Sequence, residues 1–149
     1  QTVELLPLVE RVLDEHSADI ERLNARIDLS ALQPSVLTTD REGLAVILRN
    51  LIGNGLKFHR TGVYPELVMG SRLENGHHLI WVKDNGVGFD MKYSDKIFGI
   101  FQRLQRSDAY PGTGVGLALV SKAAQRMGGR VWAESAPDQG ATFFVELPA

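Results

Sequence analysis

Three parts of the chain carry apolar residues at the three-to-four-residue spacing of an amphipathic helix. They predict helices over residues 5–24, 41–58 and 114–127. Six shorter stretches are β-branched or alternate apolar with polar positions, which is typical of strands. They lie at residues 25–30, 36–39, 66–73, 79–83, 130–135 and 141–147. This order predicts an α/β fold, a two-layer sandwich in which a mixed, mostly antiparallel sheet is covered by about three helices.

Turn and cap residues support these boundaries. Asp40 is a predicted N-cap for the second helix, and Gly128 follows the third helix as a predicted C-cap. Residues 85–111 are predicted to be a long connection, because only residues 96–104 within them have a helical pattern. A connection of this length in a compact domain is usually a functional lid or disordered. We therefore expect a mobile lid over about residues 89–111.

Length and composition restrict the class of protein. A chain of 149 residues with 44% hydrophobic content predicts one domain spanning 1–149. A net charge of −2 makes nucleic acid an unexpected partner. The absence of cysteine excludes disulfides, thiolate metal sites and cysteine nucleophiles. No apolar run is long enough for membrane insertion. The first residue, Gln1, suggests a piece of a longer protein, and processing of the amino terminus is the alternative.

The second predicted helix carries a polar stripe, which we define as Asn50, Asn54 and Lys57. At about 100° per residue, these three side chains fall within about a 60° sector of the helix. The amides are oxygen ligands for a hard cation such as Mg²⁺, and the ammonium is a point charge for phosphate. A solvated helix face is the alternative. Gly53 and Gly55 favour a site, because each costs about 1 kcal/mol in a helix and needs a reason such as close approach.

A second candidate is the D-N-G-V-G-F-D segment at the end of a predicted strand. The carboxylate of Asp84 can accept a hydrogen bond from an exocyclic amine such as that of adenine, while Gly86 and Gly88 let the backbone pass close to the ring. An Asp-, Asn- and Gly-rich turn is the common alternative. The spacing excludes an EF-hand, because the closing glutamate is missing.

A third candidate, P-G-T-G-V-G-L, opens the last predicted helix and includes Gly112, Thr113, Gly114, Gly116 and Leu117. Backbone amides at a helix start can face an anion. A dinucleotide-binding turn is excluded because no strand precedes these glycines, and no Gly-Lys-Ser/Thr follows to make a Walker sequence. The glycines fit a phosphate-side hinge for the lid.

Two further groups of residues are candidate ligand contacts. Arg103 and Arg106 lie within the predicted lid, from which an arginine can reach a terminal phosphate bidentately, although surface arginine is the commoner outcome. None of the four histidines has metal-ligand spacing, and surface or turn positions are expected for all of them. His59 alone is expected near the polar stripe.

These blocks, in this order, resemble the N, G1, F and G2 boxes of the ATP-binding catalytic domain of sensor histidine kinases. That family belongs to the gyrase, chaperone, kinase and mismatch-repair ATPase superfamily. The resemblance covers the whole chain, and F-Q-R-L followed by Y-P-G-T-G-V-G-L is most similar to phytochrome and PAS-linked kinases. It implies a Bergerat-type ATP-binding fold.

The resemblance also implies roles for individual residues. Asn54 would hold Mg²⁺, with Asn50 supporting that site and Lys57 contacting phosphate. Asp84 would bind the adenine amine, with Thr142 assisting from the last strand. The glycines would shape the pocket and hinge the lid: Gly86, Gly88, Gly112, Gly114 and Gly116. Gly55 stands where the family more usually has alanine, and we expect slightly looser packing there.

The implied activity is donation of the γ-phosphoryl group of ATP to a histidine on a separate helical dimerisation and phosphoacceptor hairpin. Hydrolytic relatives carry a glutamate general base at the Asn50 position, and an asparagine cannot take that role. None of the histidines here has the context of a phosphoacceptor, so we expect negligible autophosphorylation by this chain alone.

The expected partners are that hairpin and a downstream response regulator, with the isolated domain monomeric and cytoplasmic. The alternatives are a non-catalytic nucleotide-sensing or interaction module and a serine kinase of the same superfamily.

Overall fold

A computed structural model describes residues 1–33, 35–91, 98 and 113–149. Its strands are β1 (Thr2–Glu4), β2 (Arg26–Ala31), β3 (Val36–Thr38), β4 (Glu66–Glu74), β5 (His77–Asp84), β6 (Arg130–Ser135) and β7 (Ala141–Pro148). Its helices are α1 (Leu5–Glu15), α2 (Ser17–Leu23), α3 (Arg41–Lys57) and α4 (Thr113–Arg126). The helical candidate at residues 96–104 and nearly all of the proposed lid lie outside the described residues.

The main sheet confirms the predicted two-layer α/β sandwich. Its five strands have the order β2-β4-β5-β7-β6, in which only the β2–β4 pair is parallel. Helix α3 lies over β4 and β5, and α4 lies over β6 and β7. The apolar core forms between these two layers. Its largest fully buried side chains include Leu44, Ile47, Leu48, Leu51, Leu67, Met69 and Ile80.

The amino-terminal part differs from the prediction in two ways. The predicted helix 5–24 is broken at His16, where φ is −104° and ψ is 11°, so α1 and α2 are separate. The buried stripe of α1 ends at Val12, and Ile20 and Leu23 of α2 are only partly buried against the core, so no continuous buried face spans the two segments. In addition, β1 pairs with β3 in a small antiparallel sheet. Periodicity missed β1 because three residues are too few to show a pattern.

The β4–β5 hairpin corrects the expectation for one histidine, His78. Its turn uses left-handed Asn75 and Gly76, with φ of 52° and 77°. Strand β5 begins two residues earlier than predicted, so His77 and His78 belong to the strand. His78 is buried at 9% exposure, and desolvation lowers the pKa of its ring. The expectation of a surface or turn position was wrong for His78.

Gly53 and Gly55, near the carboxyl end of α3, face different neighbours. A Cβ on Gly55 would collide with Leu67 Cδ2, and it would lie 3.5 Å from Asp84 Cβ. A Cβ on Gly53 would meet only His16 Nε2, at 3.4 Å. The expected looser packing at Gly55 was therefore wrong, because the Leu67 side chain fills the space of a methyl group.

This difference predicts opposite effects of the same substitution. Gly53→Ala is expected to raise the free energy of unfolding by up to about 1 kcal/mol, the usual helix preference for alanine. Gly55→Ala is expected to lower it by about 1 kcal/mol, because overpacking against Leu67 exceeds that gain. Urea unfolding of both variants measures the difference, and adding Leu67→Val to Gly55→Ala should recover stability. Equal stabilisation by both alanines would contradict the packing argument.

Candidate functional site

Asp84 is a buried carboxylate at the carboxyl end of β5, with 8% of its surface exposed. Its Oδ1 accepts hydrogen bonds from the backbone N–H of Gly86 at 2.9 Å and of Ala141 at 3.3 Å. Burial raises the pKa of Asp84 from 3.8 to about 6, and these two hydrogen bonds oppose the rise. Oδ2 receives no hydrogen bond from the described residues. The fold thus fixes one carboxylate oxygen and leaves the other to accept.

The loop after Asp84 needs glycine at two positions. A Cβ on Gly86 would collide with the carbonyl oxygen of Phe58. Gly88 has φ of +64°, and a Cβ there would collide with the carbonyl oxygen of Ala136. Both residues let the backbone pass close to neighbouring carbonyl groups. This loop is therefore held against α3 on one side and the β6–β7 turn on the other.

Asn85 ties the same loop to the segment between α3 and β4, a role that the sequence analysis missed. Its Oδ1 accepts from the Glu66 N–H at 2.8 Å, and its Nδ2 donates to the Tyr64 carbonyl at 3.1 Å. The Arg60 Nε donates to the Asn85 carbonyl at 2.9 Å. An Asn within an Asp-Asn-Gly turn signals side-chain-to-backbone bonding, but spacing alone does not identify these partners.

The polar stripe of α3 has a defined arrangement. Asn50 Nδ2 donates to the Val46 carbonyl at 2.7 Å, and its Oδ1 would lie 2.9 Å from a Cβ on Gly116. Asn54 Nδ2 is buried and has no hydrogen-bond partner among the described residues. Lys57 is exposed, with Nζ 5.7 Å from the Phe58 ring centroid. The start of α4 therefore lies against the stripe through Gly116.

A cleft of about 360 Å³ opens beside the stripe. Asn50, Asn54, Lys57 and Gly116 all line it, so the structure brings these four predicted residues together. Asp84 does not line this cleft. It lies behind α3 at Gly55, the residue that follows Asn54.

Residues from the break between α1 and α2 and from α2 itself line the other wall of the cleft, and the sequence did not predict them. They are His16, Asp19, Arg22 and Leu23. The expectation that only His59 lies near the stripe was wrong, because the break between α1 and α2 brings His16 against Gly53. Sequence spacing carries no signal for this contact, since it joins residues 37 positions apart.

Comparison with known proteins identifies the family. The model for histidine kinase-, DNA gyrase B- and HSP90-like ATPases matches residues 39–149. The chain belongs to this family. It is homologous to histidine kinase catalytic domains, including those of phytochrome-like kinases.

Individual relatives and solved structures agree with this identification. Phytochrome-like protein Cph1 of Synechocystis sp. is 36% identical over 141 residues, which cover 95% of this chain and 18% of that protein. The methanogenesis regulatory histidine kinase FilI of Methanothrix harundinacea is 31% identical over 141 residues, covering 95% and 16%. The chain thus spans less than a fifth of the length of these relatives.

Two solved structures share the fold. The mycobacterial sensor histidine kinase MprB matches with a TM-score of 0.83 and 22% identity over 99% of this chain and 97% of that one. Full-length ShkA in complex with AMPPNP matches with a TM-score of 0.81 and 28% identity, covering 99% and 30%.

The other described residues predicted for the nucleotide site lie on β7, at the start of α4 and in the apolar core. Thr142 lies on β7 next to Ala141, opposite Lys83 and Glu134, and is half-buried. Thr113 and Gly114 begin α4. Leu117 is 5% exposed within the apolar core and does not line the cleft. Gly112 and Arg103 lie outside the described residues.

No described helix has both the length and the apolar character needed to cross a bilayer.

Proposed function

We propose that this domain binds ATP with Mg²⁺ and donates the γ-phosphoryl group to a histidine on a separate helical hairpin of the same parent protein. The observation that supports it most is the buried Asp84 carboxylate, fixed through Oδ1, close behind a helix that carries Asn50, Asn54 and Lys57 on one face. Membership of the histidine kinase-like ATPase family supports the same reading.

The environment of Asp84 fits an adenine ring. Oδ2 would accept a hydrogen bond from the exocyclic amine, because Oδ1 is already occupied by two backbone donors. Gly86 and Gly88 would let the ring lie close to the backbone. Thr142 would assist from β7, because its neighbour Ala141 donates to the same carboxylate.

The cleft fits the phosphate end of the nucleotide. Asn54 lines the cleft, its Nδ2 is buried without a partner among the described residues, and an amide oxygen is a suitable ligand for Mg²⁺. When bound, Mg²⁺ would neutralise phosphate charge and orient the transferred group. Lys57 would add a point charge, and Asn50 would support the site. The backbone of Gly112, Thr113, Gly114 and Gly116 would present amides to phosphate at the start of α4.

The proposed reaction is a phosphoryl transfer in line. A nitrogen of the acceptor histidine attacks the γ-phosphorus, and the bond to the β,γ-bridging oxygen breaks as ADP leaves. Asn50 cannot remove a proton from water, which favours transfer over hydrolysis. We assign Arg103 to the terminal phosphate within a lid at residues 89–111, and we treat residues 1–149 as one catalytic domain.

The proposed partners follow from this reaction. A dimeric phosphoacceptor hairpin supplies the histidine, and a response regulator receives the phosphoryl group through the full protein. The similarity to phytochrome-like protein Cph1 and to the kinase FilI supports a signalling role. The isolated domain is proposed to be monomeric.

Nucleotide binding is tested by calorimetry with AMPPNP, with and without Mg²⁺. We expect binding that strengthens with Mg²⁺, and we expect Asn54→Ala to remove most of that Mg²⁺ dependence, since the variant lacks the amide oxygen. Asn24→Gly is a control, because this exposed asparagine has a left-handed conformation at the end of α2, which glycine adopts without strain. If the parent chain shows no heat of binding at any Mg²⁺ concentration, the site assignment is wrong.

Phosphotransfer is tested by incorporation of label from γ-labelled ATP. We expect acid-labile labelling of the full parent protein and negligible labelling of residues 1–149 alone, because the acceptor lies elsewhere. Acid-stable label would indicate a serine kinase instead. Nucleotide binding without any labelling of the full protein would indicate a nucleotide-sensing module.

A further inference from the structure

The imidazole of His16 is held with one nitrogen toward its own helix and the other toward the cleft. Nδ1 lies 2.9 Å from the Val12 carbonyl oxygen, so Nδ1 donates in that hydrogen bond. Nε2 has no hydrogen-bond partner among the described residues, and it would lie 3.4 Å from a Cβ on Gly53. The break between α1 and α2 thus leaves a single free ring nitrogen at the surface of α3.

The position of Gly53 places that nitrogen on the phosphate side of the proposed nucleotide site. Gly53 follows Asn50 by three residues and directly precedes Asn54, so all three share one helix face. His16 lines the same 360 Å³ cleft as Asn50, Asn54 and Lys57, whereas Asp84 does not. A ligand atom that contacts His16 Nε2 would therefore belong to the phosphates or to groups beyond them.

The charges around His16 favour an anion there. On α1 and α2, Glu15 pairs with Arg49 at 2.7 Å and Asp19 pairs with Arg22 at 3.1 Å. These pairs neutralise Glu15, the neighbour of His16 in the chain, and Asp19, which lines the cleft. On α3, Lys57 forms no ion pair with the described residues and lines the same cleft. Gly53 adds no side chain between His16 and the cleft, so a phosphate oxygen can approach Nε2.

We propose that His16 Nε2 binds the terminal phosphate of the nucleotide and makes the site prefer a triphosphate to a diphosphate. In the complex both ring nitrogens donate: Nε2 donates to the phosphate oxygen, and Nδ1 keeps its bond to the Val12 carbonyl. This inference rests on the proposed nucleotide site and extends it by a wall that the sequence motifs do not include. His16 is a specificity residue of that site.

The test compares AMPPNP with ADP, each with Mg²⁺, by calorimetry on the whole chain. His16→Leu is expected to weaken AMPPNP binding about tenfold, the usual effect of losing a charge-assisted hydrogen bond, and to change ADP binding less than about twofold. His16→Lys keeps a cationic donor and is expected to retain most of the preference. His77→Gln is the control, since His77 lies on the hairpin and, among the described residues, its side chain hydrogen-bonds only to the Asn75 carbonyl.

A second readout separates contact from a structural role. Nitrogen NMR of the imidazole rings is expected to show a large shift of His16 Nε2 with AMPPNP and a small one with ADP. Equal loss of both nucleotides in His16→Leu, or an unchanged Nε2 signal with AMPPNP bound, would overturn the inference and leave the nucleotide site intact. If the parent chain binds neither nucleotide, the proposed function fails, and this inference fails with it.

Discussion

Replacing Asp84 with asparagine is expected to stabilise the fold at pH 7 and to weaken nucleotide binding by about 100-fold or more. The asparagine oxygen can still accept from the Gly86 and Ala141 amides. Its nitrogen would then take the place of Oδ2 and oppose the adenine amine of the proposed nucleotide with a second donor. The fold loses a buried charge, and the ligand loses its acceptor.

The stabilising effect has a defined pH dependence. The pKa of Asp84 is about 6 in the folded chain, above its ordinary value of 3.8. Between these two values the folded chain holds a proton that the unfolded chain has released, so stability falls as the pH rises from about 4 to about 6. The loss amounts to about 2–3 kcal/mol and persists at pH 7. Below about pH 4 both states are protonated, and the effect of the substitution should vanish.

Urea unfolding of both chains at pH 4 and pH 7 measures this effect, and calorimetry with AMPPNP measures affinity. Asp28→Asn is the control, because hydrogen bonds from Ser30 hold the pKa of Asp28 below its usual value. Removing that charge should give no stabilisation. A wild-type chain that is as stable at pH 7 as its Asp84→Asn variant would contradict the assigned burial cost. Affinity for nucleotide should also fall below about pH 6, as Asp84 becomes protonated.

Replacing Gly88 with alanine is expected to destabilise the domain by about 3 kcal/mol and to lower nucleotide affinity with it. The residue has φ of +64°, which an alanine adopts only with strain. A Cβ would also collide with the Ala136 carbonyl oxygen, and it would lie 2.8 Å from the Gly140 carbonyl oxygen and 2.9 Å from Ser135 Oγ. These atoms belong to the end of β6 and to the β6–β7 turn, so the loop after Asp84 must move away from them.

Gly62→Ala is a matched control that measures the cost of backbone strain without a collision. Its φ is +80°, and nothing lies within 4 Å of a Cβ there. Gly62→Ala should therefore cost only about 1 kcal/mol, the conformational strain alone. Thermal or urea unfolding of the two variants isolates the packing term at Gly88. Equal destabilisation would mean that the β6–β7 turn yields without cost.

Structural features that depend on one helix or strand were predicted correctly from the sequence. The strands of the main sheet, the Asp40 cap and the 17-residue helix α3 all agree with their predicted positions to within a few residues. The hydrogen bond from the Glu42 N–H to Asp40 Oδ1, at 3.1 Å, shows why the helix begins where it does. Such features depend on residues no more than about four positions apart, which a sequence displays directly.

For the site residues too, the features that depend on nearby positions in the chain were predicted from the sequence. Spacing alone places Asn50, Asn54 and Lys57 on one helix face. The Asp-x-Gly-x-Gly segment is likewise evident in the sequence. The roles assigned to them remain predictions for the experiments above.

Contacts between distant segments required the tertiary structure. Packing decided that Asp84 is buried enough to raise its pKa, that Leu67 fills the space beside Gly55, and that His16 faces the polar stripe. The physical reason is the same for each: burial and electrostatics depend on neighbours in space, and those neighbours come from other helices and strands. The spacing of residues along the chain specifies which chemical groups a helix or loop presents, and the packing of the layers specifies what surrounds them.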